Sequence, residues 1–211
     1  MSIYKLNELD SIFWDFDGVI KESLEVKTEA FVELFKPFGS NIAQKVKNHH
    51  ESNGASRYDK FPIYLELAGQ AVSKSLIDDY SNKFSNIVKQ QVIDSSWVPG
   101  VLEFISKNYH QRLFFILTNT PQLEIEEILL ALNIKHFFKD VIGAPLNKTD
   151  GMKYLIEKYS LNNNKSLMIG DAISDYNASS TNGVNFVLRK TEFNKILQKE
   201  LNCEMIDNFL L

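Results

Sequence analysis

The segment Ser11-Ile12-Phe13-Trp14-Asp15-Phe16-Asp17-Gly18-Val19-Ile20 runs an apolar stretch straight into two carboxylates and then a glycine. Ile, Phe and Trp in succession read as a buried strand, and a carboxylate at its end must face a cation or give up its charge, because an isolated charge in apolar surroundings is heavily penalised. Period-two alternation puts Asp15 and Asp17 on the same face, one beyond the other, where the chain leaves the sheet. Gly18 lets the backbone turn sharply there. A fold that accepts this segment has a buried strand that opens on a polar site.

Four further apolar segments follow Asp94, at Leu113–Leu117, Phe138–Ile142, Ser166–Ile169 and Val184–Leu188. Helical patterns at Pro99–Tyr109, Pro121–Leu132, Thr149–Tyr159 and Asp175–Thr181 alternate with them, and strands alternating with helices imply a parallel sheet. Pro99 and Pro121 stand where first-turn prolines belong, and the Thr120 hydroxyl is placed to cap the second of these helices. The last dozen residues suggest only an edge strand. Between Glu22 and Ser95 the strand signals vanish, and Glu25–Phe35, Tyr58–Leu67 and Ser73–Val88 carry helical spacing. Asn53-Gly54-Ala55-Ser56 reads as a turn within this helical insertion, and Asp94 to Pro99 as the linker back. The expected division is a core of residues 1–21 and 96–211 with an all-helical insertion of residues 22–95.

With 211 residues, 44% of them hydrophobic, the chain can bury a core of one domain plus a modest insertion. A net charge of -4 and the lack of a Lys/Arg run argue against nucleic acid as a partner. No apolar run reaches the roughly 20 residues of a membrane helix, and Met1 to Asp10 lacks a signal-peptide stretch, so a cytoplasmic protein with no membrane partner is expected. A monomer or weak homodimer is expected. Cys203, the single cysteine, rules out an internal disulfide and reads as an ordinary buried thiol.

In a parallel sheet, ligands bind beyond the carboxyl ends of the strands. There the sequence places Asp15 and Asp17, then Thr118-Asn119-Thr120, then Lys148, then Gly170-Asp171 with Asp175 four residues on. Taken singly, each group also suits a turn, a helix cap or a solvated surface. Together, at successive strand ends, they form a phosphoryl-transfer site. In its four motifs, Asp15-Phe16-Asp17-Gly18-Val19, Leu117-Thr118-Asn119, Lys148 and Gly170-Asp171-Ala172-Ile173-Ser174-Asp175, the chain resembles the haloacid dehalogenase-like superfamily of phosphatases and phosphomutases, over nearly its whole length. The resemblance implies an α/β fold, a Rossmann-like parallel sheet core flanked by helices with an inserted all-helical cap domain. It implies a Mg²⁺-dependent phosphatase for a small phosphorylated metabolite, a sugar or sugar-acid phosphate among them. Asp15 would be the nucleophile that forms an aspartyl-phosphate, and Asp17 the acid and then base. Mg²⁺ would be held by Asp15, the Asp17 backbone carbonyl and Asp171, with Asp175 holding a metal-bound water or fixing Asp171. Thr118, Asn119 and Lys148 would bind the phosphoryl oxygens.

Asp17 argues against carbon–halogen cleavage, since the dehalogenase branch lacks an acid two residues after its nucleophile. A sugar phosphomutase shares every core motif and is the alternative reading; a binding module with a decayed site is a third. A phosphonate hydrolase would need a cap lysine such as Lys21, Lys27 or Lys36. In the polar stretch Asn48 to Arg57, read as lying between helices, Arg57 is a candidate for the substrate's phosphate or carboxylate, and the adjacent His49 and His50 diverge too far to form a metal pair. Glu22 and Ser23 read as a hinge. Thr149 stands where the family often has proline and reads as a cap for the next helix, with Lys153 a second basic candidate one turn inside it. Trp14 demands room on one face of its strand.

Overall fold

The protein is described by a computed structural model over residues 8–52 and 54–210. Strands β1 (Ser11–Trp14), β2 (Leu113–Pro121), β3 (Asp140–Ala144), β4 (Ser166–Gly170), β5 (Asn185–Arg189) and β6 (Glu204–Ile206) form one all-parallel sheet among the described residues, in the order β3-β2-β1-β4-β5-β6. β1 is buried at every residue and pairs with β2 on one side and β4 on the other. Its apolar run Ile12-Phe13-Trp14 follows from being covered on both faces. On one face Phe13 packs with Phe115, Met168, Met152 and Leu155; on the other, Ile12 and Trp14 join the larger core. Trp14 finds its room there, edge-on to Phe104 and Phe114 at centroid distances of 5.7 and 5.5 Å, beside Phe209 at 5.4 Å.

Between β1 and β2 lie α1 (Leu24–Phe35), α2 (Ser40–Ser52), α3 (Arg57–Leu67), α4 (Lys74–Asp94) and α5 (Val101–Asn108); α6 (Gln122–Ala131), α7 (Lys148–Tyr159), α8 (Ile173–Thr181) and α9 (Leu197–Glu200) follow along the rest of the chain. The first four pack on an aromatic centre in which Phe31 lies 4.1 Å from Phe84, 5.4 Å from Phe61 and 5.5 Å from Tyr64, ring centroid to ring centroid. The chain returns to the sheet through a bridge between Lys21 and Trp97, where the buried Lys21 ammonium donates to the Ile93 carbonyl at 3.0 Å and lies 4.3 Å from the Trp97 ring. No helix among the described residues is long and apolar enough to cross a membrane.

Several local expectations need correction. α2 was not anticipated: the polar stretch from Asn48 is mostly helix, and its buried stripe is only Ala43 and Val46, too thin to declare itself in sequence. Thr120 does not cap α6; Pro121 stands at the cap position and Thr120 is drawn into the site described below. Pro99 precedes a left-handed Gly100 (φ +80°) that caps α5, and a Cβ there would lie 2.6 Å from the Phe209 carbonyl carbon. α7 begins at Lys148, capped by Asn147, whose side chain accepts from the Asp150 amide at 2.9 Å, so Thr149 is not the cap. Cys203 is half-buried rather than buried.

Arg57 also departs from expectation, since it does not reach the strand ends. Its guanidinium grips Glu124 of α6 in two parallel bonds, Nη1 to Oε2 at 2.9 Å and Nη2 to Oε1 at 2.6 Å, and Nη1 also donates to Ser85 Oγ at 2.6 Å. Both charged side chains are at least nine-tenths buried. Removing one partner of such a pair strands the other charge and typically costs about 3–5 kcal/mol, whereas replacing both with apolar residues is often nearly neutral. Arg57→Met is therefore expected to lower stability in urea denaturation by about 3 kcal/mol or more, and Arg57→Met/Glu124→Leu to regain most of that loss. Equal losses in the single and double variants would contradict this.

Candidate active site

A cavity of about 670 Å³ opens where β1, β2 and β4 end, and Asp15, Asp17, Thr118, Asn119, Lys148 and Asp171 all line it. Asp15 follows directly on β1; its amide donates to the Ile169 carbonyl at 3.0 Å, and its Oδ1 accepts from the Phe16 amide at 2.7 Å. Its Oδ2 lies 2.8 Å from Lys148 Nζ. That ammonium, at the first residue of α7, also donates to Asp175 Oδ1 at 2.7 Å. Asp175 lies beneath the cavity and is fully buried, and its Oδ2 accepts from the Ala172 amide at 3.0 Å, which fixes the start of α8. Lys153 is exposed and takes no part.

Two glycines let these acids approach. A Cβ on Gly170 would lie 2.2 Å from Asp175 Cβ, and one on Gly18, already at φ +76°, would lie 2.5 Å from Asp171 Oδ2. Oxygens of Asp15, Asp171 and Asp175 all fall within 4.8 Å of one another. Burial, then the charge of Asp175, pushes the Asp15 carboxyl from its usual 3.8 to about 7 despite the opposing Lys148 ammonium. Burial, then Asp15 and Asp175, raises Asp171 well above its usual value. Lys148 is held charged: burial opposes its ammonium, but Asp15 and Asp175 outweigh that and raise it. Three buried carboxyls around one ammonium are short of positive charge, and their donors are all oxygen, a set that fits Mg²⁺.

Asp17 is treated differently. Ser23 Oγ donates to its Oδ1 at 2.6 Å, Thr120 Oγ1 donates to Oδ2 at 3.1 Å, and the Lys27 ammonium makes a short contact with Oδ2 while donating to Thr120 Oγ1 at 2.8 Å. Burial pulls Asp17 upward, but Lys27 and the two hydroxyls outweigh it and hold the carboxyl below its usual range. Ser23, Lys27 and Thr120 were not singled out for these contacts. Ser23 and Lys27 lie four residues apart, on one side of the start of α1, yet in sequence that pair is indistinguishable from a solvated helix face.

Thr118 Oγ1 accepts from the Thr120 amide at 3.2 Å. The Asn119 side-chain Nδ2 donates to the Gly54 carbonyl at 2.6 Å, and Ser174 Oγ donates to the same oxygen at 3.4 Å. A Cβ on Gly54 would sit 2.9 Å from that of Ala172, so the segment from Gly54 lies directly on the core at the cavity. Asn194, buried in the cavity wall, donates to the Asp171 carbonyl at 2.7 Å.

A family model for haloacid dehalogenase-like hydrolases matches residues 12–189. A phosphoglycolate phosphatase from Vibrio vulnificus is 24% identical over 192 residues, covering 83% of this chain and 81% of that protein. One from Vibrio cholerae is 37% identical over 81 residues, an alignment spanning only 35% of this chain and 36% of that protein. The structure of CbbY from Rhodobacter sphaeroides in complex with phosphate superposes with a TM-score of 0.77 at 13% identity, covering 95% of each chain.

In the metal-free protein the raised Asp15 and Asp171 carboxyls favour folding while protonated; the Asp15 contribution is complete below pH 3.8 and lost as pH rises through about 7, and that of Asp171 has the same sign. The metal-free melting temperature is therefore expected to fall between pH 5.5 and pH 8 on this account. MgCl₂ is expected to raise it more at pH 8, where protons no longer compete for the ligands. A differential scanning fluorimetry series showing no magnesium effect at either pH would contradict this.

Proposed function

This chain belongs to the haloacid dehalogenase-like hydrolases, and on that premise we propose that it is a Mg²⁺-dependent phosphatase hydrolysing a small phosphomonoester through an aspartyl-phosphate on Asp15. The observation that carries the reading is the separation of the two strand-end carboxyls. Asp15 lies among carboxyls and a lysine that can receive a cation and a phosphoryl group, while Asp17 is held by its own set of donors. Asp15, the Asp17 carbonyl and Asp171 would hold the cation, which when bound screens the charge on both carboxylate and phosphate. Asp175 serves chiefly to position Lys148.

In the first half-reaction an Asp15 carboxylate oxygen attacks phosphorus, the bond to the ester oxygen breaks, and Asp17 gives that oxygen a proton. Water then attacks the same phosphorus, Asp17 takes its proton, and the bond to Asp15 breaks to return the carboxylate. Lys148, Thr118 and the Asn119 amide hold the non-bridging oxygens. Ser23, Lys27 and Thr120 favour the ionised Asp17 that the second half needs; proton delivery in the first half requires Lys27 to part from it. Residues 22–95 act as a cap over the core of residues 1–21 and 96–211. The Vibrio relatives make 2-phosphoglycolate the first substrate to test, with the cytoplasm as the setting.

Phosphate release from p-nitrophenyl phosphate is expected to depend on MgCl₂. Asp15→Asn should lower kcat by about three orders of magnitude or more with the fold intact by circular dichroism. Asp17→Asn should lower it by about 10²–10⁴-fold. Isomer formation from a sugar phosphate without phosphate release would favour a phosphomutase instead, and full activity in Asp15→Asn would sink the nucleophile assignment.

A further inference from the structure

We propose that Lys60 receives a second anionic group on the substrate, so that the cavity selects phosphomonoesters carrying a carboxylate or another phosphate. The inference rests on the phosphatase reading and adds the residue that reads the rest of the molecule.

Lys60 belongs to α3, lines the same cavity as Asp15, and is only 3% exposed. No carboxylate pairs with it among the described residues. Among the described residues its ammonium bonds one partner, His50 Nδ1 at 2.7 Å, and lies 5.7 Å from the Phe31 ring centroid. Asp59, its sequence neighbour, accepts instead from Ser56 Oγ at 2.6 Å. The Lys27 ammonium, which lines the same cavity, is already committed to Asp17. Burial and Lys27 push Lys60 down to about 7 against the weak pull of Asp59, and burial with Lys60 and Lys27 pushes His50 far below its usual value. The neutral imidazole is then the acceptor and Lys60 the donor.

A buried ammonium without a counter-ion is unfavourable, and this one faces a chamber with room for more than a phosphoryl group. Lys148, Thr118 and Asn119 already serve that phosphoryl group from the core. An anion entering beside Lys60 supplies the missing charge, and a neutral alkyl or hydroxyl tail does not.

The test uses the full chain with MgCl₂ and matched substrates: 2-phosphoglycolate against ethyl phosphate, 3-phosphoglycerate against glycerol 3-phosphate, and fructose 1,6-bisphosphate against fructose 6-phosphate. The wild type should favour the anionic member of at least one pair by about tenfold or more in kcat/KM, chiefly through KM. The pair that responds identifies the anion as carboxylate or phosphate. Lys60→Met should collapse that ratio to within about twofold, and Lys60→Arg should keep it. If Lys60→Met does not fold, Lys60→Gln, which retains a donor to His50 without the charge, replaces it. Equal kcat/KM within every wild-type pair, or a ratio unchanged on removing the charge, overturns the proposal. Turnover of p-nitrophenyl phosphate separates the two failures, because its absence removes the phosphatase reading itself.

Discussion

The Lys148 ammonium, lodged between Asp15 and Asp175, is the interaction on which the rest of this site depends. Lys148 opens α7, Asp175 anchors the first turn of α8, and Asp15 follows directly on the central strand, so one cation ties three separate stretches of chain. The compensation is incomplete. With Asp171 included, three ionised carboxylates against one ammonium leave two negative charges, the charge of one divalent cation. The raised Asp15 and Asp171 carboxyls express the same deficit in proton affinity. Glycine at positions 18 and 170 is a steric condition for this density of charge, since any side chain at either position would displace a carboxyl.

The helical insertion is fastened to the core at separate points, and the fastenings differ in kind. Outside the cavity lining, Arg57 and Ser85 hold Glu124, while the more exposed Lys89 meets Glu127 at 2.7 Å. At the cavity, Asn119 and Ser174 hold the Gly54 carbonyl, and Lys27 reaches from α1 to Asp17. The first set consists of a buried ion pair and a surface one. The second lies at the cavity itself, which Lys27, Gly54 and Asn119 all line.

The strand-end residues were legible in sequence because they recur at the ends of successive apolar runs; singly each suits a turn, a cap or a solvated surface, and only their joint occurrence points to a site. Asp15, Asp17, Thr118, Asn119, Lys148 and Asp171 do meet around one cavity. What escaped was set by contacts distant in sequence. Thr120 has a hydroxyl that suits a helix cap and an acid equally well, and only the approach of Asp17 decides between them. Arg57 has the right chemistry for a phosphate or a carboxylate; Glu124, 67 residues away, claims it. α2 carries so few buried apolar side chains that its periodicity is invisible without its neighbours, and Lys60 and His50 gain their importance only from that packing.

β1 is only four residues long, yet it lies in the middle of the sheet, hydrogen-bonded along both sides and screened on both faces. Amides in such a strand exchange with solvent only when the sheet itself opens. Asp15 follows directly on that strand, its amide bonded to the Ile169 carbonyl of β4, so its placement is set by the part of the fold that opens last.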